Sequence, residues 1–220
     1  MIPVSDPSCC IHRRGFAFML FVAMSVVCGG PAISSGEILT FDELPGTAPT
    51  GWLTQVPANY GGLQWRFFYY TEASRAPAPS GYVNGVVSPG KAVYSGYADW
   101  APAVLSVTHG TFDLNSAYVT AAWQDGVTLE AQGFKGGRLI YDTGYTINAV
   151  TPSLINFNYL GIDQVSFYYY GGTVHPGYQG FGPMFVIDNL NVTIVPEPST
   201  LALACVAAFS LPLFRRRQIS

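Results

Sequence analysis

The chain has 220 residues, 49% of them apolar and only 10% charged, and a formal net charge of −3, against a charged fraction of roughly 25% in a typical soluble protein. Between Glu37 and Val195 five basic residues stand against eleven acidic ones, so this span carries −6 and has no basic face to neutralise phosphates; a nucleic-acid reader is excluded. Cys9, Cys10 and Cys28 precede residue 37 and Cys205 follows residue 195, so the middle holds neither a disulfide framework nor a thiolate zinc site.

Residues 13–28 read RRGFAFMLFVAMSVVC. Two arginines, an apolar run and then small residues are the three-part layout of a secretory signal peptide. Residues 1–36 are assigned to it, with cleavage by signal peptidase expected between about 30 and 36, where Ala32-Ile33-Ser34 offers a small-x-small site.

From residue 37 onward turn residues recur and no long helical stripe occurs. The first predicted strand is EILTFD, followed by the turn-rich PGTAPTGWLTQVPANYGG. Then come LQWRFFYY, a second turn-rich segment TEASRAPAPSGYVNG, and the strands KAVYSGY and AVLSVTH. In SAYVTAAW, Ala117, Val119, Ala121 and Trp123 share one side; in GVTLEAQ, Val127, Leu129 and Ala131 alternate with Thr128, Glu130 and Gln132. Period two over such lengths marks half-buried strands. Gln124-Asp125-Gly126 is predicted to join these two as a hairpin turn. GFKGG provides the next turn, into RLIYDTGYTI, and LINFNYL and QVSFYYY follow. In WRFFYY, alternation places Trp65, Phe67 and Tyr69 on one face and Phe68 and Tyr70 on the other. The last strand, MFVIDNLNVTI, breaks parity: Phe185 and Ile187 are odd, Leu190, Val192 and Ile194 even. A β-bulge at Asp188-Asn189 would keep both sets facing the core and turn the Asp188 carboxylate out of simple alternation.

About ten or eleven short strands with Gly and Pro punctuation predict an all-β domain over residues 37–195, an antiparallel β-sandwich of jelly-roll type, with a barrel as the alternative. A signal-peptide helix would precede it and a short apolar helix follow it. The two long turn-rich segments are expected as rim loops, where binding sites collect. TFDELPG, YGGLQW, SGYVNGVVS, FDLNSAYVTAAWQDG, LGIDQVSF and FVIDNL together resemble an uncharacterised group of secreted domains. That resemblance implies export and a sandwich, and no activity.

Residues 196–220 form a separate signal. Leu201 to Phe214 is 14 residues; as a helix it would span about 21 Å, short of a hydrocarbon core of about 30 Å. Arg215, Arg216 and Arg217 would hold its far end in the cytoplasm. Pro196 and Pro198 keep VPEPS extended, a form that a membrane protease can grip. The order VPEPST, apolar run, RRR resembles the PEP-CTERM sorting signal of bacteria. The resemblance implies recognition of Val195, Pro196, Glu197, Pro198, Ser199 and the three arginines by an exosortase-type protease, with removal of the tail near Pro196 to Ser199. It also implies transient insertion in the inner membrane, then delivery to the envelope, cell surface or extracellular matrix, and the biofilm setting of bacteria that use this system.

Three kinds of chemistry are weighed for the middle. If the first and last strands lie side by side, Asp42 comes near Asp188, a candidate structural Ca²⁺ site like that of similar carbohydrate-binding modules; the alternative is that both carboxylates accept backbone N–H bonds. All 14 tyrosines and all four tryptophans lie in the middle span, and Trp52, Tyr60, Tyr94, Tyr97, Trp100 and Tyr178 are candidate carbohydrate contacts on rim loops, against a reading as core and cross-strand pairs. Catalysis has little support. His109 and His175 read as turn residues, no serine sits in a nucleophile elbow, and no HExxH pattern occurs. A hydrolase working with two of the eleven acids is the lesser alternative. The expectation is a non-catalytic exported protein that contacts exopolysaccharide or matrix components, with a defined carbohydrate-binding module as its rival.

Overall fold

Strand alternation is realised in two antiparallel sheets. The computed structural model describes residues 35–47, 54–96 and 101–196. Residues 1–34 of the expected signal peptide and the residues beyond Pro196, with the helices expected there, lie outside these, whereas Ser35 and Gly36, the last two residues assigned to the signal peptide, stand in a strand. Among the described residues the strands are β1 (Ser35–Leu39), β2 (Thr54–Gln55), β3 (Gln64–Arg66), β4 (Phe68–Glu72), β5 (Lys91–Ser95), β6 (Ala103–Ser106), β7 (Thr111–Ala121), β8 (Gln124–Lys135), β9 (Arg138–Ile147), β10 (Ser153–Ile162), β11 (Gln164–Val174) and β12 (Phe185–Val195). One short helix, α1 (Gly81–Asn84), lies in the excursion between β4 and β5.

The larger sheet has the order β10-β7-β12-β5-β4-β2, with β1 also paired to β12; the smaller has the order β3-β6-β11-β8-β9. They form a sandwich, and neither closes into a barrel. Val127, Leu129 and Ala131 of β8, and Ala117, Val119 and Ala121 of β7, are all fully buried between the layers, as their alternation requires. Phe68, Phe157, Phe167 and Phe185 meet there with ring centroids about 6 Å apart and mostly edge to face, the arrangement ring quadrupoles favour.

Two local expectations are corrected. Gln124-Asp125-Gly126 is not a hairpin turn. β7 belongs to the larger sheet and β8 to the smaller, so the chain changes layer at Ala122-Trp123, and Asp125 instead pairs with Thr173 of β11. Trp123 packs edge-on to Tyr82, with ring centroids 5.4 Å apart, and this packing outweighs the turn preference of Asp-Gly. Likewise LQWRFFYY is two strands, not one. Arg66 pairs with Val104 in one sheet and Phe68 with Ser95 in the other. Phe67 lies between them at φ 61°, so Trp65 and Phe68, of opposite parity, meet at 5.3 Å. The turn in GFKGG is the tight hairpin expected: Gly136 and Gly137 have φ of 57° and 74°, the left-handed pair that suits the strand twist.

The parity break in β12 is a bulge. Asp188 lies opposite Tyr118 and Asn191 opposite Ser116, so three steps on β12 match two on β7. Asn189 takes φ 50° there, a left-handed conformation that asparagine tolerates. Ile187 and Leu190 both reach the inter-sheet core, and both residues between them are free for the outer side. β7 has its own irregularity at Asn115-Ser116, and β10 has one between Asn156 and Tyr159, where Asn158 has φ 54°. Three neighbouring strands are thus irregular at one level of the sheet.

Candidate functional site

The outer face of the larger sheet is divided in two. Over β5 and the start of β12 it is covered by residues 73–90. Tyr82 of α1 packs with Ala92, Tyr94, Ala122, Met184 and Val186 in a second, smaller core. The contact is close: a Cβ on Gly81 would stand 1.8 Å from the Ala121 carbonyl oxygen, and Gly81 N donates to Ala122 O at 2.8 Å.

Asp188 marks the edge of this cover. It is completely buried. Its Oδ2 accepts from the N–H groups of Val87 (2.6 Å) and Ser88 (2.7 Å), and its Oδ1 from that of Asn189 (2.7 Å). The Ser88 hydroxyl lies within 3.0 Å of both carboxylate oxygens and of Thr40 O. Burial raises its pKa above the ordinary Asp value, while these hydrogen bonds pull the other way. Asp42 serves the same turn from the other side: its Oδ1 accepts from Lys91 N at 3.1 Å, and its carbonyl accepts from Lys91 Nζ at 2.8 Å. β1 does pair with β12, yet each carboxylate is engaged with the 87–91 turn. Among the described residues no three His, Cys, Asp or Glu side chains gather as a metal site.

Beyond Asp188 the outer face is open. An exposed depression of about 470 Å³ is lined by Ile38 and Thr40 from β1 and the residue after it, Asn189 and Asn191 from β12, Ser116 and Tyr118 from β7, and Leu154 from β10. None of these side chains is charged. Register sets them in two rows across the strands: Leu154 beside Tyr118 beside Asp188, and Asn156 beside Ser116 beside Asn191 beside Ile38. Ile38 is 59% exposed and Leu154 52% exposed. Asn115 Nδ2 donates to Asn191 Oδ1 and Thr193 Oγ1, both at 3.1 Å, and steadies the floor beside it. Asn189 Oδ1 is buried without a hydrogen-bond partner. Strands seldom carry asparagine, and the run of Asn156, Asn158, Asn189 and Asn191 at outward positions is the sequence signal for this face.

The described aromatics among the proposed carbohydrate contacts fall in three places. Tyr94 is only 3% exposed, stacked on Tyr69 and edge-on to Tyr82; it is a core ring and presents no face to solvent. Its cover, the 73–90 excursion, is packed onto the sheet rather than standing open as a rim loop. Tyr60 is half-buried against Phe41 and Trp65, and its hydroxyl donates to Glu43; burial, then Glu43, raises its pKa. Tyr178 lies over His175 with centroids 4.7 Å apart, and its hydroxyl lies 2.7 Å from Asn84 Nδ2. Trp52, Tyr97 and Trp100 lie outside the described residues.

His175 follows β11 in a turn closed by Tyr178 N donating to His175 O. Its Nδ1 lies 2.5 Å from Asp125 Oδ2, and Asp125 Oδ1 accepts from Ala149 N at 2.9 Å. The hydrogen bond to His175, then that from Ala149, hold the Asp125 pKa below its ordinary value. These groups tie three loops of one pole together.

The opposite pole holds both ends of the domain, since Ser35 pairs with Ile194. β12 ends at Val195 and Pro196 is exposed. Residues 195–218 match the family model described as the PEP-CTERM protein-sorting motif. The chain carries a PEP-CTERM motif. The motif marks an exported protein, processed by an exosortase and sorted to the cell surface, and it begins on the last residue of the folded sheet. Glu197, Pro198, Ser199 and Arg215 to Arg217 of the motif lie outside the described residues. No curated protein matches the chain. Two crystal structures are similar to it, both of DUF4465 family proteins. The one from Bacteroides caccae shares 10% identity at a TM-score of 0.46, over 72% of this chain and 98% of its own. The one from Bacteroides ovatus shares 8% identity at 0.41, over 74% and 95%.

Proposed function

We propose that this exported, surface-sorted domain is non-catalytic and contacts polysaccharide of the envelope or extracellular matrix. The observation that supports this reading is the open, uncharged depression on the larger sheet, lined by the Tyr118 ring, Ile38 and Leu154 together with amides and hydroxyls. Sugars present hydroxyls at their edges and C–H groups on their faces, and such a wall meets both. Asp125 and His175 form the one close carboxylate–imidazole pair among the described side chains. Asp125 spends its second oxygen on a backbone N–H, which suits a structural tie.

The test is co-sedimentation and affinity electrophoresis of the full chain with exopolysaccharide from a producing bacterium, beside a turnover assay on labelled polysaccharides. Retention without turnover is expected. Release of labelled oligosaccharides would make the protein a hydrolase; absence of retention on any polymer would remove the reading.

A further inference from the structure

A ligand class and a direction can be added to the polysaccharide contact, and both rest on that reading. The depression has a built boundary along the strands and none across them. Along β12 it is closed on one side by the cover over Val186, where Asp188 binds Val87 and Ser88. Across the strands it ends at β10 and β1, the two edges of this part of the sheet. A polymer lying across the strands enters over one edge and leaves over the other, so no chain end is needed. Four strands spaced about 4.8 Å apart give a track of about 14 Å, enough for a few sugar rings.

The lining fixes the ligand's charge. None of the groups facing the depression is ionised, so a uronate or sulfated polymer meets no cation there. Desolvating a carboxylate against unpaired amides is unfavourable. Neutral hydroxyls, in contrast, find the Asn191 amide and the Ser116 and Thr40 hydroxyls. Tyr118, with Leu154 beside it in register, supplies the apolar wall.

We propose that the β10-β7-β12-β1 face binds an internal stretch of a neutral, linear polysaccharide running across the strands, with Tyr118 against a sugar face and Asn189, Asn191 and Ser116 on its hydroxyls. The opposite sheet supplies a control: Tyr170 is 50% exposed on its outer side, and its hydroxyl donates to Glu130.

The experiment is affinity electrophoresis of the full chain in gels containing a neutral β-glucan, a mannan or the polyuronate alginate, at low and high salt, with thermal melts of every variant. Retardation by a neutral polymer is expected, little changed by salt. Tyr118→Ala should weaken it about 10-fold with an unaltered melt, Asn191→Ala should weaken it too, and Tyr170→Ala should leave it intact. Retardation by alginate alone, or loss on Tyr170→Ala but not on Tyr118→Ala, would overturn this assignment and leave polysaccharide contact standing elsewhere on the domain. Retardation by none of the polymers would overturn both.

Discussion

Asp188 shows how one buried carboxylate can organise two neighbouring regions. Its oxygens satisfy the N–H groups of Val87, Ser88 and Asn189, and buried donors left unpaired cost about 1–3 kcal/mol each. Asp188→Ala should therefore lower stability by about 3 kcal/mol or more, read as a drop in the urea midpoint, and should detach the 87–91 turn. Its raised pKa has a sign consequence. The group favours the folded state most at acid pH, and that part fades as pH rises through the folded value. Asp125 is the opposite case. Its lowered pKa gives a contribution present above the ordinary Asp range and lost as pH falls through the folded value. Thermal unfolding followed down the acid range should show this loss in the native chain, and Asp125→Asn should flatten it.

Between residues and layers, the bulge in β12 is the decisive element. One extra residue lets Ile187 and Leu190 both face the core while Asp188 binds the cover and Asn189 lines the open face. Deleting Asn189 would remove the extra residue and leave Leu190, Val192 and Ile194 in strict alternation with Ile187, still on the core side, while the open face loses one of its amides. The pairings with β7 and β1 should persist, and circular dichroism should still show a cooperative melt. The α1 excursion is the second such element. Gly81→Ala would drive a methyl group into the Ala121 carbonyl; overpacking of this kind costs about 1–3 kcal/mol. Limited proteolysis of the variant should cut first within residues 73–90, because α1 can no longer sit on the end of β7.

For the molecule as a whole, pairing of β1 with β12 brings the domain's two ends to one pole, with the sorting motif starting there. The folded body can form while the chain is held at that pole, and loss of the residues beyond Pro196 removes none of the described strands. Mass spectrometry of the surface-displayed protein should find a C-terminus near Pro196 to Ser199 and an intact sandwich. Full-length chain at the surface would instead mean simple anchoring.

Some of this is local and legible in the residues. The sorting motif is contiguous, and the strand patterns of β8 and β11 alternate without interruption. The bulge in β12 follows from the step between Ile187 and Leu190. A similar step between Leu114 and Ala117 in β7 is open to the same reading. What stays hidden depends on which layer a strand joins. Phe67 and Ala122-Trp123 switch sheets because packing on both sides demands it, and no propensity records that. Tyr94 has the pattern of a surface ring until residues 73–90 close over it. The open face draws Ile38, Ser116, Tyr118, Leu154 and Asn191 from four distant segments; only hydrogen-bonded register across β10, β7, β12 and β1 makes them neighbours.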